Sequence, residues 1–368
     1  MLAFLSVALS IYGAMHFYAL GKVWQAFPHS LWLGSALLLV GLAMTLSPLI
    51  PWQLSRQNWH GATAVTSWAV YLWMGFLFLF CCTALVFDLG HLLSTLTGIK
   101  WPLNDSMALL GMCLTALAFS GYGFVEARKI QVERINITTP KLASGRVTIA
   151  QISDLHLGAM LGDEFLQQVI GKLNELHPDI VVATGDVVDG QGDDFNELAK
   201  RFHSLQAPTG LFAITGNHEY FAGLEHSLQF LRNAGFTVLR GEAAAAGGVI
   251  LLGVDDQTGQ ARGQEAKLDI GQALASVTAK DFIVLLKHQP VVDNTTPFDL
   301  QLSGHVHGGQ IFPFGFLTRM TYGVGTGLTR LADGRLLYVS RGTGTWGPPI
   351  RLFAAPEITL ITIASEYQ

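Results

Sequence analysis

The sequence predicts an N-terminal region of four membrane-spanning helices followed by an α/β domain. Residues 1–126 carry only six charged side chains, whereas residues 127–368 carry the rest, at a density ordinary for a soluble protein. Four charge-free segments of about 20 residues lie in the first part, each long enough to form a spanning helix. In the second part, short apolar runs alternate with amphipathic ones, which is typical of alternating strands and helices.

The four apolar segments are interpreted as transmembrane helices. Each has the length that an α-helix needs to cross a hydrocarbon core of about 30 Å. The first segment lacks a basic start and is apolar throughout, so it is expected to be a retained anchor rather than a cleaved signal peptide. Several tryptophans lie near the segment ends, as at membrane interfaces; buried helices of a large soluble protein are the alternative. The predicted spans are Met1–Gly21, Leu31–Ile50, about Ala64–Phe87 and about Met107–Val125.

The loop charges predict the orientation of these spans. Arg128, Lys129 and Arg134 follow the fourth segment, whereas the first and third loops carry one lysine each. The positive-inside rule then places both termini in the cytoplasm. All three cysteines lie in the apolar segments, so the globular part has no disulfide; this fits the cytoplasm and does not exclude the periplasm. The net charge of −5 and the lack of a basic run argue against a nucleic-acid partner.

The globular domain is expected at residues 147–368, after a juxtamembrane linker at residues 127–146. Strands that alternate with helices indicate α/β layering, and two final strands with no helix between them favour a second, mixed sheet. The predicted strands are Val147–Ile152, Asp179–Thr184, Leu211–Thr215, Val249–Val254, Phe282–Lys287, Asp299–Leu302, Arg335–Ser340 and Glu357–Ile363. The predicted helices are Asp163–Leu176, about Asp193–Leu205 and Leu224–Ala234.

Five polar clusters stand at the ends of predicted strands. Loops from the carboxyl ends of strands converge in open α/β sheets, and ligands bind there. One Asp-x-His triplet or one histidine is common by chance, but five of the eight histidines beyond residue 126 fall in these clusters. The joint pattern therefore predicts one site. The clusters are Asp154–His156, Gly185–Asp189, Gly216–Glu219, Lys287–His288 and Gly304–His307.

The residue types in the clusters indicate a pair of metal ions. Carboxylates and imidazoles together suit Mn, Fe or Zn. Two cations about 3.5–4 Å apart need a shared ligand, and a carboxylate has two oxygens for that purpose. Gly185, Gly216 and Gly304 allow sharp turns and a close approach of the backbone. Alternation in the segment His305–His307 would place both imidazoles on one face of an extended chain.

The ordered motifs Asp-x-His, Gly-Asp-x-x-Asp, Gly-Asn-His-Glu, His and Gly-His-x-His resemble the signature of the calcineurin-like metallophosphoesterases. The resemblance covers about residues 147–365, and every motif position is filled. It implies an α/β/β/α sandwich of two mixed sheets and a site for two divalent metals. The roles that it implies are a first metal on Asp154, His156 and His307, a second on Asn217, His288 and His305, Asp186 as the bridge, and His218 facing the substrate.

Two longer stretches resemble the bacterial membrane-anchored branch of that family. They are Gly304–Ile311 and the tail from Ser340 to Thr359, and they imply a location in the bacterial inner membrane. Gly190 follows Asp189 where the protein Ser/Thr phosphatases have an arginine, and no arginine follows Glu219. A phosphoprotein substrate is therefore disfavoured.

The mechanism that this resemblance implies is hydrolysis by an activated water. Two cations lower the pKa of a water, so that hydroxide can attack phosphorus. His218 would then donate a proton to the departing oxygen as the general acid. Asp189 and Glu219 are expected behind the ligands, where they orient them. For Asp189, a helix N-cap before Gly190 is an equally supported alternative.

An almost wholly apolar segment, Ile311–Leu317, follows the last metal histidine. One interpretation is a core strand with a turn at Pro313. The other is a loop that dips into the membrane surface, with Phe314, Phe316 and Arg319 beside a lipid-linked phosphodiester or pyrophosphate.

The sequence therefore favours a membrane-anchored phosphodiesterase or pyrophosphatase, with a phosphoester substrate and the lipid bilayer as its partners. A non-catalytic membrane sensor or scaffold with the same fold is the alternative, and it is disfavoured because no predicted ligand is missing. A transporter is disfavoured because no charged residue lies within the predicted spans.

Overall fold

The chain folds into two compact units. They comprise Met1–Val125 with Gly347–Ile350, and Glu126–Trp346 with Arg351–Gln368. A computed structural model describes residues 2–190, 195–266, 270–275 and 277–366 of the chain.

The first unit is helical at all four segments predicted to span a membrane. Within the described residues, two helices are long and apolar enough to cross a membrane, or three if one bent pair is a single span. That pair divides the predicted span Leu31–Ile50, and its halves differ in direction by 43°. The break falls at Ser47–Pro48, because proline lacks an N–H and its ring clashes with the preceding turn. A fourth span stays a prediction. The helices are α1 (Leu2–Ala26), α2 (Leu31–Leu46), α3 (Leu49–Arg56), α4 (His60–Thr97) and α5 (Asp105–Glu126).

Helix α4 extends well beyond the predicted span and therefore contains Asp88. The carboxylate of Asp88 pairs with Lys22 Nζ of α1 at 2.6 Å and accepts a hydrogen bond from the Tyr18 hydroxyl at 2.7 Å. Asp88 lies one residue beyond the predicted span Ala64–Phe87, so the predicted spans themselves still contain no charged residue. A charge in such a helix is tolerated when it is paired, and this pair links α1 to α4.

The second unit contains two six-stranded sheets. Each sheet combines parallel and antiparallel neighbours, so both are mixed, as expected. In spatial order, the first sheet consists of β1 (Gln131–Thr139), β12 (Glu357–Ser365), β2 (Arg146–Ile152), β3 (Ile180–Ala183), β4 (Gly210–Ala213) and β5 (Thr237–Val238). The second consists of β10 (Gly327–Arg330), β11 (Leu336–Val339), β9 (Leu300–Ser303), β8 (Phe282–Leu286), β7 (Val249–Gly253) and β6 (Glu242–Ala246).

Helices flank these sheets and connect the strands. Those that pack on the outer face of the first sheet are α6 (Asp163–Leu176), α7 (Phe195–Phe202) and α9 (Leu224–Asn233). The predicted helix at Asp193–Leu205 corresponds to α7, and its first two residues lie outside the described part of the chain. The remaining helices are α8 (Asn217–Ala222), α10 (Gln257–Arg262), α11 (Ile270–Ala273), α12 (Phe314–Tyr322) and a 3₁₀ turn at His307–Gly309.

The central strands divide their side chains between two apolar layers. In β3, Ile180 and Val182 pack between the sheets, whereas Val181 and Ala183 pack against the helices. A strand that is buried on both faces forms an uninterrupted apolar run. The sequence therefore located these strands to within one or two residues.

The predicted juxtamembrane linker contains a strand instead. Residues 127–146 include β1, which pairs in parallel with β12 from Gln131↔Glu357 to Thr139↔Ser365. This edge strand has no clear sequence signal, because Glu133 and Arg134 interrupt its apolar alternation.

Candidate metal centre

The seven predicted metal ligands follow the ends of five strands, three in the first sheet and two in the second. Both carboxylate oxygens of Asp154 accept the backbone N–H of His305 at 3.0 Å, so one hydrogen-bonded contact joins the loops of the two sheets. The structure thus brings the predicted clusters together. The ligands are Asp154 after β2, Asp186 after β3, Asn217 after β4, His288 after β8, and His305 and His307 after β9, with His156 two residues beyond Asp154.

Asp154, His156 and His307 form one buried group. Their ligand atoms lie within 4.8 Å of one another. The Nε2 atoms of the two imidazoles face each other at 3.0 Å, and Nε2 of His307 lies 3.5 Å from Asp154 Oδ1. Nδ1 of His156 is buried and has no hydrogen-bond partner among the described residues. Imidazole nitrogens that converge on a carboxylate in this way fit a divalent cation.

Asp186, His288 and His305 form a second group, and Asn217 adjoins it. Nε2 of His288 lies 3.1 Å from Asp186 Oδ2 and 3.2 Å from Asn217 Oδ1. Nδ1 of His305 lies 3.2 Å from the same Nε2 atom. The other ring nitrogen of His288, Nδ1, lies 2.8 Å from the carbonyl oxygen of Thr184. A proton donated to that carbonyl leaves Nε2 free for a cation.

Asp186 lies between the two groups. Its Oδ2 atom is 3.1 Å from Nε2 of His288 and 3.9 Å from Nε2 of His156. Its Oδ1 atom accepts the backbone N–H of His218 at 2.8 Å, which fixes the carboxylate in place. One carboxylate therefore faces both imidazole groups, the position that a bridging ligand needs.

The backbone of the site is held in unusual conformations. Left-handed φ angles are uncommon for residues other than glycine, cost of order 1 kcal/mol or more each, and cluster at functional sites. Beside them, Gly185 (φ +92°) has no room for a side chain, since a Cβ would lie 2.6 Å from the backbone nitrogen of Gly216. The predicted ligands with left-handed φ are Asp154 (55°), His156 (49°), Asp186 (52°), His305 (70°) and His307 (50°).

The segment His305–His307 is not extended, contrary to the prediction. Both histidines have left-handed φ angles, and His307 opens a 3₁₀ turn. Their imidazoles consequently belong to different groups, His305 with His288 and His307 with His156. The alternation argument was therefore wrong about this geometry.

Burial and neighbouring charges set the protonation of these histidines. Burial lowers the pKa of His156 to about 4 and that of His305 to about 4, so both imidazoles are neutral, the form that binds a metal. Burial opposes a proton on His288, but the carboxylate of Asp186 raises its pKa well above the ordinary value. A cation bound at Nε2 would take the place of that proton, because histidine binds a metal in its neutral form.

His218 lies at the edge of the first group. Its Nδ1 atom is 2.9 Å from Asp189 Oδ1, and its ring stands edge-on to His156, with the ring centroids 4.6 Å apart. Burial opposes its protonation, but Asp186 and Asp189 raise the pKa of His218 to about 9. His218 is therefore protonated near neutral pH. Its distance from His156 and Asp189 would also allow it to be a metal ligand.

Asp189 thus contacts His218, while the alternative helix N-cap involves residues 191–194, outside the described part of the chain. Glu219 has a different position. Its fully buried carboxylate accepts four backbone N–H groups and so holds the loop that contains Asp186 against the start of α8. The donors are those of Asp186 (3.0 Å), Val187 (2.7 Å), Val188 (3.3 Å) and Gly216 (2.6 Å).

Arg351 is a site residue that the sequence interpretation missed. It is fully buried, and its Nη1 atom donates to the carbonyl oxygens of His307 at 2.8 Å and Arg341 at 2.6 Å. Its Nη2 atom lies 3.1 Å from Nδ1 of His307. Burial and this guanidinium hold the pKa of His307 well below its ordinary value. The available signal was an arginine between Ile350 and Leu352, since a buried arginine requires polar partners.

The apolar segment after His307 forms helix α12 rather than a core strand. None of the residues of α12, all of which the structure describes, is buried. Phe314 is 42% exposed and Phe316 is 63% exposed, and Arg319 is also exposed. A cavity of about 310 Å³ lies between this helix, the residues beside His307, and Phe353. The core-strand interpretation is therefore wrong for Phe314–Leu317, whereas Ile311 is buried, forms a parallel β-bridge with Leu352 and precedes a turn at Pro313.

The structure combines two mixed sheets with a cluster of histidine, aspartate and asparagine side chains where strands of both sheets end. This combination defines a class of metal-dependent phosphoesterases. Residues 147–309 match the family model described as calcineurin-like phosphoesterase. The chain is 40% identical over 253 residues to an uncharacterized metallophosphoesterase of Aquifex aeolicus, a similarity that covers 67% of this chain and 97% of that protein. The chain therefore belongs to the calcineurin-like metallophosphoesterase family, as its motifs predicted.

Other relatives extend the similarity to the first unit. A transmembrane protein with metallophosphoesterase domain from Danio rerio is 30% identical over 330 residues, which cover 84% of this chain and 75% of that protein. Among solved structures, the chain is similar to a 5'-nucleotidase precursor from Thermus thermophilus at 16% identity and a TM-score of 0.37. That similarity covers 60% of this chain and about half (54%) of the nucleotidase.

Proposed function

We propose that this protein is a membrane-anchored, two-metal phosphoesterase that hydrolyses a phosphodiester or pyrophosphate bond. The observation that carries the proposal is the position of Asp186, whose Oδ2 atom faces both His156 and His288. A single carboxylate between two imidazole groups is what a pair of closely spaced cations requires. The membrane part of the proposal is supported by the apolar helices and by the relative named as a transmembrane protein.

The residues fit two divalent cations of the Mn, Fe or Zn type. When bound, such cations supply Lewis acidity at the phosphoryl oxygens and lower the pKa of a nucleophilic water. The mixed imidazole and carboxylate donors and the unpartnered Nδ1 of His156 support this assignment. The proposed ligands are Asp154, His156 and His307 for one cation, Asn217, His288 and His305 for the other, and Asp186 for both.

The proposed general acid is His218. Asp189 accepts the Nδ1 proton, so Nε2 is the atom available to the substrate. As water attacks phosphorus and the bond to the leaving oxygen breaks, Nε2–H would transfer its proton to that oxygen. The raised pKa of His218 keeps this proton in place at neutral pH.

The experiment measures metal content and hydrolysis of bis-p-nitrophenyl phosphate by the full chain in detergent with added Mn. We expect about two metal ions per chain and turnover that a chelator abolishes. Asp186→Asn should lose both the metal and the activity, whereas Asp281→Asn, in the turn before β8, should keep both. Metal binding without turnover of any diester or pyrophosphate would favour a sensor or scaffold instead.

The substrate class that we favour is lipid-linked. Helix α12 presents Phe314 and Phe316 to the surroundings directly after the metal-binding loop. Exposed large apolar side chains in a contiguous patch mark a site of interaction with a membrane or ligand. We also favour the cytoplasmic location of the catalytic unit that the loop charges predict.

A further inference from the structure

A cavity of about 540 Å³ opens beside the second group of ligands. Its size falls in the range of small-molecule sites. The consecutive residues Lys287, His288 and Gln289 form part of its wall. Because His288 is a proposed ligand, a group bound in this cavity would be close to the reacting phosphate.

The wall of the cavity is a connected set of hydrogen-bonding side chains. Gln289 Nε2 donates to Asp256 Oδ2 at 2.8 Å. Gln289 Oε1 accepts a hydrogen bond from Gln257 Nε2, and the Tyr322 hydroxyl lies 3.4 Å from it. The ring of Tyr322 in turn stands edge-on to His305, at 5.7 Å between centroids. Gln289 therefore lies next to the proposed ligand His288 in the cavity wall, and its hydrogen bonds with Asp256 and Gln257 fix its orientation.

The charge of the cavity excludes one class of ligand. Asp256, Glu265 and Asp293 contribute carboxylates to its lining, and Lys287 is the only cation among the lining residues that the structure describes. Lys287 is itself held by Asp293 at 3.1 Å. A second phosphate in this cavity would meet an excess of negative charge, which disfavours it.

The donors and acceptors of the cavity favour a hydroxyl-rich ligand. Glutamine amides offer both N–H donors and carbonyl acceptors, and carboxylates only accept. An alcohol hydroxyl both donates and accepts, so a polyol can satisfy such a mixed wall, whereas an ammonium group can only donate.

We propose that this cavity binds a polyhydroxylated alcohol that is esterified to the scissile phosphate, and that Gln289 and Gln257 select it. This inference rests on the proposed function and sharpens it. The substrate is a phosphodiester of a polyol. It is not a pyrophosphate, which would place a second phosphate in this cavity.

The experiment compares three p-nitrophenyl phosphodiesters with the full, Mn-loaded chain in detergent. Their second ester group is glyceryl, methyl, or glyceryl bearing an additional phosphate. We expect the kcat/KM for the glyceryl ester to exceed those for the other two about tenfold, since two or so neutral hydrogen bonds are worth about 1.4 kcal/mol. In Gln289→Met and in Gln257→Met, the ratio of the glyceryl to the methyl value should fall towards one.

The control is Gln229→Met, an exposed position on α9, which should keep the ratio of the unsubstituted protein. Metal content is measured for each variant. Gln257→Met is a second test, at a residue that is not next to a proposed metal ligand in the sequence. Equal kcat/KM values for the glyceryl and methyl esters, or a preference for the phosphorylated one, would overturn this inference and leave the proposed function standing. Hydrolysis of none of the esters would overturn both.

Discussion

Single residues in the site combine strained backbone with buried charge. Five predicted ligands adopt left-handed φ angles, and the carboxylates of Asp154, Asp186 and Glu219 are buried. Both features cost free energy, and surrounding contacts such as the four N–H groups on Glu219 offset that cost. His218 differs from its neighbours, because its contact with Asp189 keeps it protonated while the nearby His156 is neutral.

Replacing His218→Asn should lower kcat by roughly 10²–10⁴, the usual contribution of a general acid, with metal content near normal. The pH profile gives a second readout. His218 is protonated below its pKa and loses its proton as pH rises, so the alkaline decline of activity in the unsubstituted enzyme should be absent from the variant. Kinetics on bis-p-nitrophenyl phosphate, with metal analysis, checks both expectations.

His226→Asn is the matched control, since it lies on α9 away from the proposed ligands. It should leave kcat and the pH profile unchanged. Loss of one metal ion from His218→Asn would instead identify His218 as a ligand and remove its assignment as the acid.

Among the elements, α12 is the one whose environment the sequence left undecided. The segment is apolar enough for a core strand, yet Phe316 and Met320 are more than half exposed. The preceding loop explains this, because Gly308 and Gly309 adopt positive φ angles and turn the chain after His307. The role that we propose for this exposed helix is contact with lipid beside the metal-binding loop.

The double change Phe314→Ser and Phe316→Ser should therefore lower turnover of phosphatidylglycerol in mixed micelles relative to turnover of bis-p-nitrophenyl phosphate, by tenfold or more. The reason is that partial burial of a phenylalanine in lipid is worth about 1 kcal/mol or more, and two are removed. Parallel assays of the two substrates give the ratio directly.

Leu328→Ser, an exposed apolar position on the edge strand β10, serves as the control and should leave the ratio as it is. If both substrates decline equally in the double variant, α12 does not select lipid.

At the scale of the whole molecule, the candidate metal centre lies where two sheets meet, and the same sheets also contact each other through apolar side chains and through hydrogen bonds such as that from Tyr338 to Glu357. Four proposed ligands follow strands of the first sheet, and the other three, His288, His305 and His307, follow strands of the second. Cations bound at this junction would favour the folded state, because a ligand that binds only the native protein stabilises it.

Chelation should accordingly lower the melting temperature of the catalytic unit. At a metal concentration of about 100 Kd the stabilisation is about 3 kcal/mol, which corresponds to roughly 5–10 °C for a unit of this size. Scanning calorimetry of the full chain in detergent, with and without EDTA, measures the shift. Asp186→Asn should show no such shift, and an equal shift in that variant would mean that the stabilising metal binds elsewhere.

The sequence by itself determined the family and the central strands, and it predicted a set of site residues that the structure brings close together. Strands buried on both faces appear as uninterrupted apolar runs such as Ile180–Ala183, and ligand types are fixed by the chemistry of metal binding. These properties are local, so they can be recognised without knowing what packs against them. The family resemblance added the grouping of ligands, a grouping that the distances around Asp186 support.

Other features depend on contacts between residues far apart in the sequence, and only the tertiary structure decided them. β1 exists because β12, more than 200 residues later, provides its hydrogen bonds. Arg351 belongs to the site because the fold places its guanidinium against the carbonyl oxygen of His307. The imidazoles of His305 and His307 belong to different groups because both residues adopt left-handed φ angles. Backbone pairing and burial between residues far apart in sequence leave no periodic pattern, and for that reason the sequence did not reveal them.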